Sequence, residues 1–254
     1  MPDRIAANHT DQNIYKVYHD GQWKIVKDPA AGLLLYVDCE GAEGSQVWTD
    51  ESTDGVDSPR AVYANGLDKY FYITQSTPGI PEGSACTWKL SYSDTLYTAL
   101  STDFYLDGDF CLEAYIRLED QTNWEDQGTP VAITDQAWIY RNGNGIFFGY
   151  NMSDGSLFLE CKDPTHGEFN FSTGTLSWSS TQWYHVVAQR RGNTFELYRS
   201  TTTVSPSDTP LATQIQAWGG LAGDGDGYRA QICANKYSGK MQFDMIKIYS
   251  QARY

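Results

Sequence analysis

No run of eighteen apolar residues occurs in the 254-residue chain, so nothing in it reads as a membrane-spanning helix. The opening Met1-Pro2-Asp3-Arg4 lacks the apolar core of a secretion signal, which predicts synthesis in a reducing compartment without signal-peptide export. Basic residues are scarce: 18 Lys and Arg against 32 Asp and Glu give a formal charge of −14. Phosphate backbones and anionic membranes are held by clustered Lys and Arg, so neither nucleic acid nor a membrane is expected as partner. The surplus of like charge favours solubility at high concentration.

Cysteine is sparse and unpatterned. Cys39, Cys86, Cys111, Cys161 and Cys233 show no CxxC spacing, which excludes a zinc site of that kind. An odd number leaves one over from any disulfide framework, and buried free thiols fit better. Histidine is scarcer still, with only His9, His19, His166 and His185, and no Gly-x-Ser-x-Gly elbow accompanies them. His185 shares a strand face with Trp183 and Val187 and reads as a packed or hydrogen-bonded residue rather than a base. His166, beside Pro164 and Gly167, reads as an exposed loop residue.

Aromatic residues are abundant at 14%, with 18 Tyr and 8 Trp, and no stretch is periodic enough for a major helix. Such a composition suits pleated, half-buried surfaces and excludes disorder. Residues 1–13 read as a polar arm. Ile14 to Val26 follows as two alternating runs across Asp20-Gly21, the strongest short hairpin signal, with Tyr15, Tyr18 and Trp23 as its anchors. A lone hairpin is marginal in water, so this element, residues 1–30, is expected to dock on something.

Residues 31–254 read as one all-β domain, an antiparallel two-sheet jelly-roll sandwich with turn signals between short strands. Leu33–Asp38 opens it, and Tyr70–Ile73 is a short strand in the turn-rich stretch that follows. Phe110–Leu118 alternates cleanly, which predicts Phe110, Leu112, Ala114, Ile116 and Leu118 on the core. Cys111, Glu113, Tyr115 and Arg117 then face solvent. Further strands are expected at Val131–Thr134, Ile146–Tyr150 and Ser156–Cys161, with turns at Asn142-Gly143 and Asp154-Gly155. A hairpin runs Trp183–Arg190 to Thr194–Arg199 over Gly192-Asn193, and Gln242–Tyr249 is the last strand. Trp183 and Phe195 are expected in the core. Asp244 is expected on the face of Ile246 and Ile248, capping backbone N–H groups of a neighbouring turn.

Four segments then stand in a recognisable order. They are Leu33–Asp38 with Thr49-Asp50-Glu51-Ser52 behind it, Asp109–Arg117, Gln182–Arg190 continuing to Phe195, and Met241–Tyr249 ending in Ala252-Arg253-Tyr254. Together they resemble the concanavalin A-like, laminin-G-like jelly-roll modules common in bacteriophage structural proteins. The Tyr18-His19-Asp20-Gly21-Gln22-Trp23 hairpin is similar to short elements recurring in phage virion proteins.

The resemblance implies a virion accessory protein, a capsid decoration or tail appendage on the particle surface. Other virion proteins would be bound through the N-terminal region, with sister copies beside it. The alternative is a carbohydrate-binding module for host surface glycans, whose platform would draw on Trp124, Trp138, Tyr140, Trp218 and Tyr228. Hydrolases of this fold use Glu-x-Asp-x-x-Glu strands with carboxyls about 5–5.5 Å apart for retaining chemistry. Here Glu113 is followed only by Glu119, across Tyr115 and Arg117, and the last strand offers Asp244 alone, so no enzyme is expected. No cofactor is expected either. Asp224 and Asp226 in Asp-Gly-Asp-Gly are calcium candidates that lack a third oxygen, because Tyr228 stands in its place.

Overall fold

Period-two alternation carries the chain into strands, as a computed structural model shows for residues 4–6, 14–19, 22–27, 32–39, 44–45, 48–52, 62–65, 71–74, 85–88, 95–118, 125–126, 129–130, 136–142, 145–163, 166–219, 228–232 and 241–254. The first strands are β1 (Arg4–Ala6), β2 (Ile14–His19) and β3 (Gln22–Lys27). After them come β4 (Leu33–Asp38), β5 (Thr49–Asp50), β6 (Val62–Asn65), β7 (Phe71–Thr74), β8 (Ala85–Trp88) and β9 (Thr95–Thr98). A 3-10 turn at Thr102–Tyr105 leads to β10 (Phe110–Leu118), β11 (Glu125–Asp126), β12 (Thr129–Pro130), β13 (Gln136–Asn142), β14 (Ile146–Asn151), β15 (Leu157–Asp163) and β16 (Gly167–Ser172). The last are β17 (Tyr184–Arg191), β18 (Thr194–Ser200), β19 (Ala212–Ile215), β20 (Ala230–Ile232) and β21 (Met241–Tyr249).

Two antiparallel sheets make the sandwich. One runs β19-β18-β17-β10-β21-β4-β5, with β8 also paired to β21 and β7 to β8; the other runs β16-β15-β14-β13-β20-β9-β6. Leu35, Ile116 and Ile248 of the nine-stranded sheet share one core with Tyr140, Phe148 and Leu159 of the seven-stranded sheet. A fully buried side chain of this kind contributes roughly 1.5–3 kcal/mol over its exposed state.

The N-terminal segment forms its own three-stranded sheet. β2 and β3 pair across residues 20–21 with Tyr18 opposite Trp23, and β1 adds to β2 within the stretch read as a polar arm. Further strands that the sequence did not signal are β13, β16, β19 and β20, whereas residues 131–134, read as a strand, lie outside the described residues.

The face of β10 read as solvent-facing is covered instead. Cys111 is fully buried, and Glu113 and Tyr115 are buried beside it. A second small cluster of Leu33, Cys111, Val187, Tyr198, Val204 and Tyr249 lies on this outer face, with Tyr36 and Tyr254 packed against it. Trp183, expected in the core, belongs to a third cluster with Tyr115 and Met245 on the same side, whereas Phe195 is fully buried in the main core. Alternation put the apolar half of β10 correctly, but it could not register the loop and chain end that lie across the other half.

Asp244 shows what a single extra residue does. The β10–β21 register shifts between Glu113 and Tyr115, and Met245 takes the extra place with φ 49°. Two residues oppose one at such a bulge, so the strand changes phase across it. Asp244 therefore stands opposite Tyr115 on the outer face, not on the face of Ile246 and Ile248. Its carboxylate accepts from the Met245 N–H at 2.8 Å and from the Cys39 N–H at 3.3 Å. These bonds hold a left-handed backbone at a non-glycine residue, a conformation costing roughly 1–2 kcal/mol.

Two other buried polar residues tie loops to strands. Asp50 accepts from the Tyr36 and Ser52 N–H groups at 3.0 and 2.9 Å, securing the edge of β4. Arg190 is 7% exposed and donates to the carbonyls of Asp107, Gly108, Gly192 and Trp218 at 2.6–3.3 Å. One guanidinium fork thereby gathers three loops at the same end of the sandwich. Cys39, Cys111 and Cys161 are free and buried; Cys233 lies outside the described residues, as does the Cys86 side chain.

Candidate functional site

The seven-stranded sheet turns an organised face away from the core. Inward, Ile232, Tyr140, Phe148, Leu159 and Phe171 stand opposite one another across five strands. The row beside them faces outward and holds Tyr97, Gln231, Arg141, Phe147, Glu160 and Asn170. A second outward row holds Trp138, Gly149, Phe158 and Ser172.

Gly149 is required where it stands. A Cβ there would lie 2.0 Å from the Ala137 carbonyl oxygen and 3.0 Å from the Phe158 ring. The bare backbone lets β13 close in, and the β13–β14 register shifts between Trp138 and Tyr140. Trp138 is turned out by that shift and Tyr140 is turned in.

Four side chains then stack on this face. The Trp138 and Phe147 rings are 5.1 Å apart, tilted by 57°. The Arg141 guanidinium lies 5.0 Å from the first and 5.4 Å from the second, and the Lys162 ammonium 5.2 Å from Phe147. Cations over ring faces are attracted by the ring quadrupole. Burial of Arg141 disfavours its charged form and pulls its pKa down from the ordinary guanidinium value. Lys162 also pairs with Glu160 at 3.1 Å and Glu168 at 3.5 Å, and its hydrogen bond to Glu160 is the main cause of its raised pKa.

Two polar atoms here are buried without a hydrogen-bond partner, the Trp138 Nε1 donor and the Gln231 Oε1 acceptor. Their residues flank Arg141, one along β13 and one directly opposite on β20. A buried polar group without a partner costs free energy, so such atoms point to a water or ligand that would complete them.

The sequence-designated aromatics part company here. Trp138 is half-buried on the outward face. Tyr140 is instead a core residue, 1% exposed, and burial pushes its phenol pKa far up. Trp218 is likewise in the core, its ring edge-on to Phe169 and Phe195 and its Nε1 donating to the Leu106 carbonyl at 3.4 Å. Tyr228 bridges Ser101 at the sheet margin, edge-on to Tyr105 at 5.6 Å. Trp124, Asp224 and Asp226 lie outside the described residues, as do the side chains of Tyr15, Tyr18 and Trp23. Among the described residues no three His, Cys, Asp or Glu side chains lie together as metal ligands.

Sequence reasoning missed Arg141, Phe147, Lys162 and Gln231. The alternation in 146–151 and 157–163 contained part of the signal, but β13 and β20 were not read as strands, so their cross-strand neighbours stayed hidden.

A second cluster of buried polar groups lies on the outer face of the nine-stranded sheet. His185 is 2% exposed and stacks on Tyr115 at 4.5 Å and 19°. Its Nδ1 accepts the Val204 N–H at 2.8 Å, and its Nε2 lies 3.1 Å from Glu113 Oε2. The proton on the ring therefore sits on Nε2 and is donated to the carboxylate. The Tyr254 hydroxyl donates to the same oxygen. Burial pushes the Glu113 carboxyl up, but the hydrogen bond and field of His185, the Tyr254 hydrogen bond and the Lys247 ammonium outweigh it and hold the group below its usual range. Gln189 clamps the chain beside it: its Oε1 accepts from the Arg253 and Tyr254 N–H groups, and its Nε2 donates to the Tyr254 carbonyl.

Residues 91–253 match the family described as the Concanavalin A-like lectin/glucanases superfamily. No curated protein sequence matches the chain. Among solved structures it is similar to the binding domain of Paraclostridial Mosquitocidal Protein 1, at 12% identity and a TM-score of 0.59, over 88% of this chain and 50% of that one. It is also similar to domain 4 of AbnA, an extracellular arabinanase of Geobacillus stearothermophilus solved with arabinotriose, at 11% identity and a TM-score of 0.54. That match covers 87% of this chain and 94% of that one. A third is Trypanosoma rangeli sialidase in complex with sialic acid, at 10% identity and a TM-score of 0.51, over 88% of this chain and 31% of that one. The chain thus spans about half the length of the mosquitocidal domain. At these identities the likeness is one of fold, and with the family match over most of the described sandwich it leads to one statement: the chain belongs to the concanavalin A-like lectin/glucanases superfamily.

Proposed function

We propose that this protein is a non-catalytic carbohydrate-binding module whose ligand surface is the outer face of the seven-stranded sheet. The observation that carries the reading is the Trp138–Phe147–Arg141–Lys162 stack beside two unpartnered buried polar atoms. A half-buried indole offers an apolar surface to the C–H face of a sugar ring. The exposed Asn170 amide, on the row beside it, supplies a donor and an acceptor for its hydroxyls. Neighbours of the same fold support this reading, since one was solved with arabinotriose and another with sialic acid. On the same face, Glu160 and Glu168 both pair with the Lys162 ammonium, at 3.1 and 3.5 Å.

The test is a glycan array followed by calorimetry on the best hit with wild type and Trp138→Ala. Saturable binding that weakens at least tenfold in the variant supports the reading. Binding that survives Trp138→Ala at full strength removes this face, and an array without saturable hits removes the carbohydrate module altogether.

Display on a virus particle is the setting we propose for such a module. It rests on the resemblance to phage virion proteins and on a three-stranded N-terminal sheet that, among the described residues, pairs with neither sandwich sheet. Tyr15, Tyr18 and Trp23 would anchor it to other virion proteins or sister copies. If a chain lacking residues 1–30 still loads onto particles at full occupancy, attachment through this segment is wrong.

A further inference from the structure

We infer that His185 is a proton-operated clasp: proton uptake at Nδ1 takes away the acceptor of the Val204 N–H and releases the segment after β18 from the outer face of the nine-stranded sheet. The inference is independent of the carbohydrate reading, because it concerns the opposite sheet.

The geometry leaves the imidazole one way to gain a proton. Nε2 already donates to Glu113, and Nδ1 is filled by the Val204 N–H at 2.8 Å. A proton on Nδ1 would set donor against donor, and the hydrogen bond would be lost. The segment has few other holds on this face. Thr203 Oγ1 meets the Tyr115 hydroxyl at 2.5 Å, and the Val204 side chain packs into the outer cluster. Thr201, Thr202, Thr203 and residues 206–209 are exposed, so water can take over their polar groups once the clasp opens.

Charged and titratable groups surround the ring from three elements. From β10 the ring faces Glu113, with Cys111 and Tyr115 on either side in sequence; from β21 come Asp244, opposite Tyr115, with Lys247 and Tyr249; from the chain end come Arg253 and Tyr254. Glu113 is the carboxylate in contact, 3.1 Å from Nε2, and an imidazolium there would be met by its anion. Lys247 and Arg253 oppose the added charge from further off: each is spread over a tyrosine ring, Tyr36 and Tyr249 respectively. Lowering the pH supplies that proton, so pH is the variable that operates the clasp. Opening would lift Val204 off Leu33, Cys111, Val187, Tyr198 and Tyr249, uncovering an apolar patch that is closed at neutral pH.

Amide hydrogen exchange at Val204, corrected for intrinsic rates and followed from pH 7.5 to 5, reads the clasp directly. Protection is expected to fall at least tenfold, and a His185→Gln variant, which keeps one acceptor and one donor but cannot titrate, is expected to hold it constant. A fall of the same size in His185→Gln, or no fall in the wild type, overturns the proposal. Should the variant not fold, nitrogen NMR of the wild-type ring decides. Loss of the Nε2–H neutral form in step with loss of Val204 protection supports the clasp. A ring that stays neutral to pH 5, or that charges with Val204 still protected, refutes it.

Discussion

The Tyr254 hydroxyl and the Glu113 carboxylate, 141 positions apart in the chain, meet in a hydrogen bond on the outer face of the nine-stranded sheet. The same carboxylate oxygen receives the His185 proton, so one buried anion joins the chain end to the middle of the sheet. Tyr254→Phe keeps the ring in its cluster and removes only the donor. It should lower stability by about 1.5–3 kcal/mol, as for other hydrogen bonds to charged groups, read as a shift of the urea midpoint with unchanged slope.

Glu113 also shapes the acid limb of stability. Its folded carboxyl lies below its unfolded value of about 4.3, so its contribution is complete above that pH and is lost as pH falls through the folded value. Glu113→Gln should flatten stability against pH in that window while lowering it near neutrality. Chemical denaturation across pH 2–6 would show it; an acid limb identical to wild type would contradict the assignment.

At the other end of the scale the phenols behave oppositely. Burial, then the hydrogen bond and charge of Glu196, push Tyr198 up to about 12, and burial with Glu113 raises Tyr249 and Tyr254 as well. Raised groups contribute stability below their unfolded value of about 10 and lose it as pH rises through the folded value. Ultraviolet titration should therefore find these tyrosines ionising only as the protein unfolds, with Glu196→Gln bringing Tyr198 down.

Asp244→Ala should destabilise by about 1–3 kcal/mol, because two backbone N–H groups at the bulge lose their acceptor. Ligand affinity should not change, since Asp244 belongs to the sheet opposite the candidate face. Loss of glycan binding at an unchanged melting temperature would refute this structural role.

Gly149→Ala places a methyl against the Ala137 carbonyl and should cost about 3 kcal/mol. It should also weaken glycan binding, because β13 must move away and carry Trp138 with it. Wild-type stability in this variant would mean that β13 and β14 are not packed so closely.

Strong alternation and strong turn signals were legible: β10, the β17–β18 hairpin over Gly192 (φ 58°) and most of β21 lie where the pattern put them. One register shift accounts for Asp244, expected on the face of Ile246 and Ile248, and a second separates Trp138 from Tyr140, both expected at a ligand surface. Trp138 and Tyr140 are two apart, which on a regular strand means one face; the shift between them sends one to the outside and the other to the core. The same holds for Asp244 and Ile246. Burial of Cys111, Glu113 and Tyr115 escaped for another reason. Their cover comes from Thr203, Val204 and Tyr254, and no local period encodes a contact with a segment 88 or more residues away.

Met245 carries a wider consequence. Since it is one residue too many for its strand, β21 consists of two half-strands of opposite parity, Met241–Asp244 and Ile246–Tyr249, spliced at a single position. A relative that lacks the inserted residue would thread one half of the strand inside out unless its neighbours had changed in step.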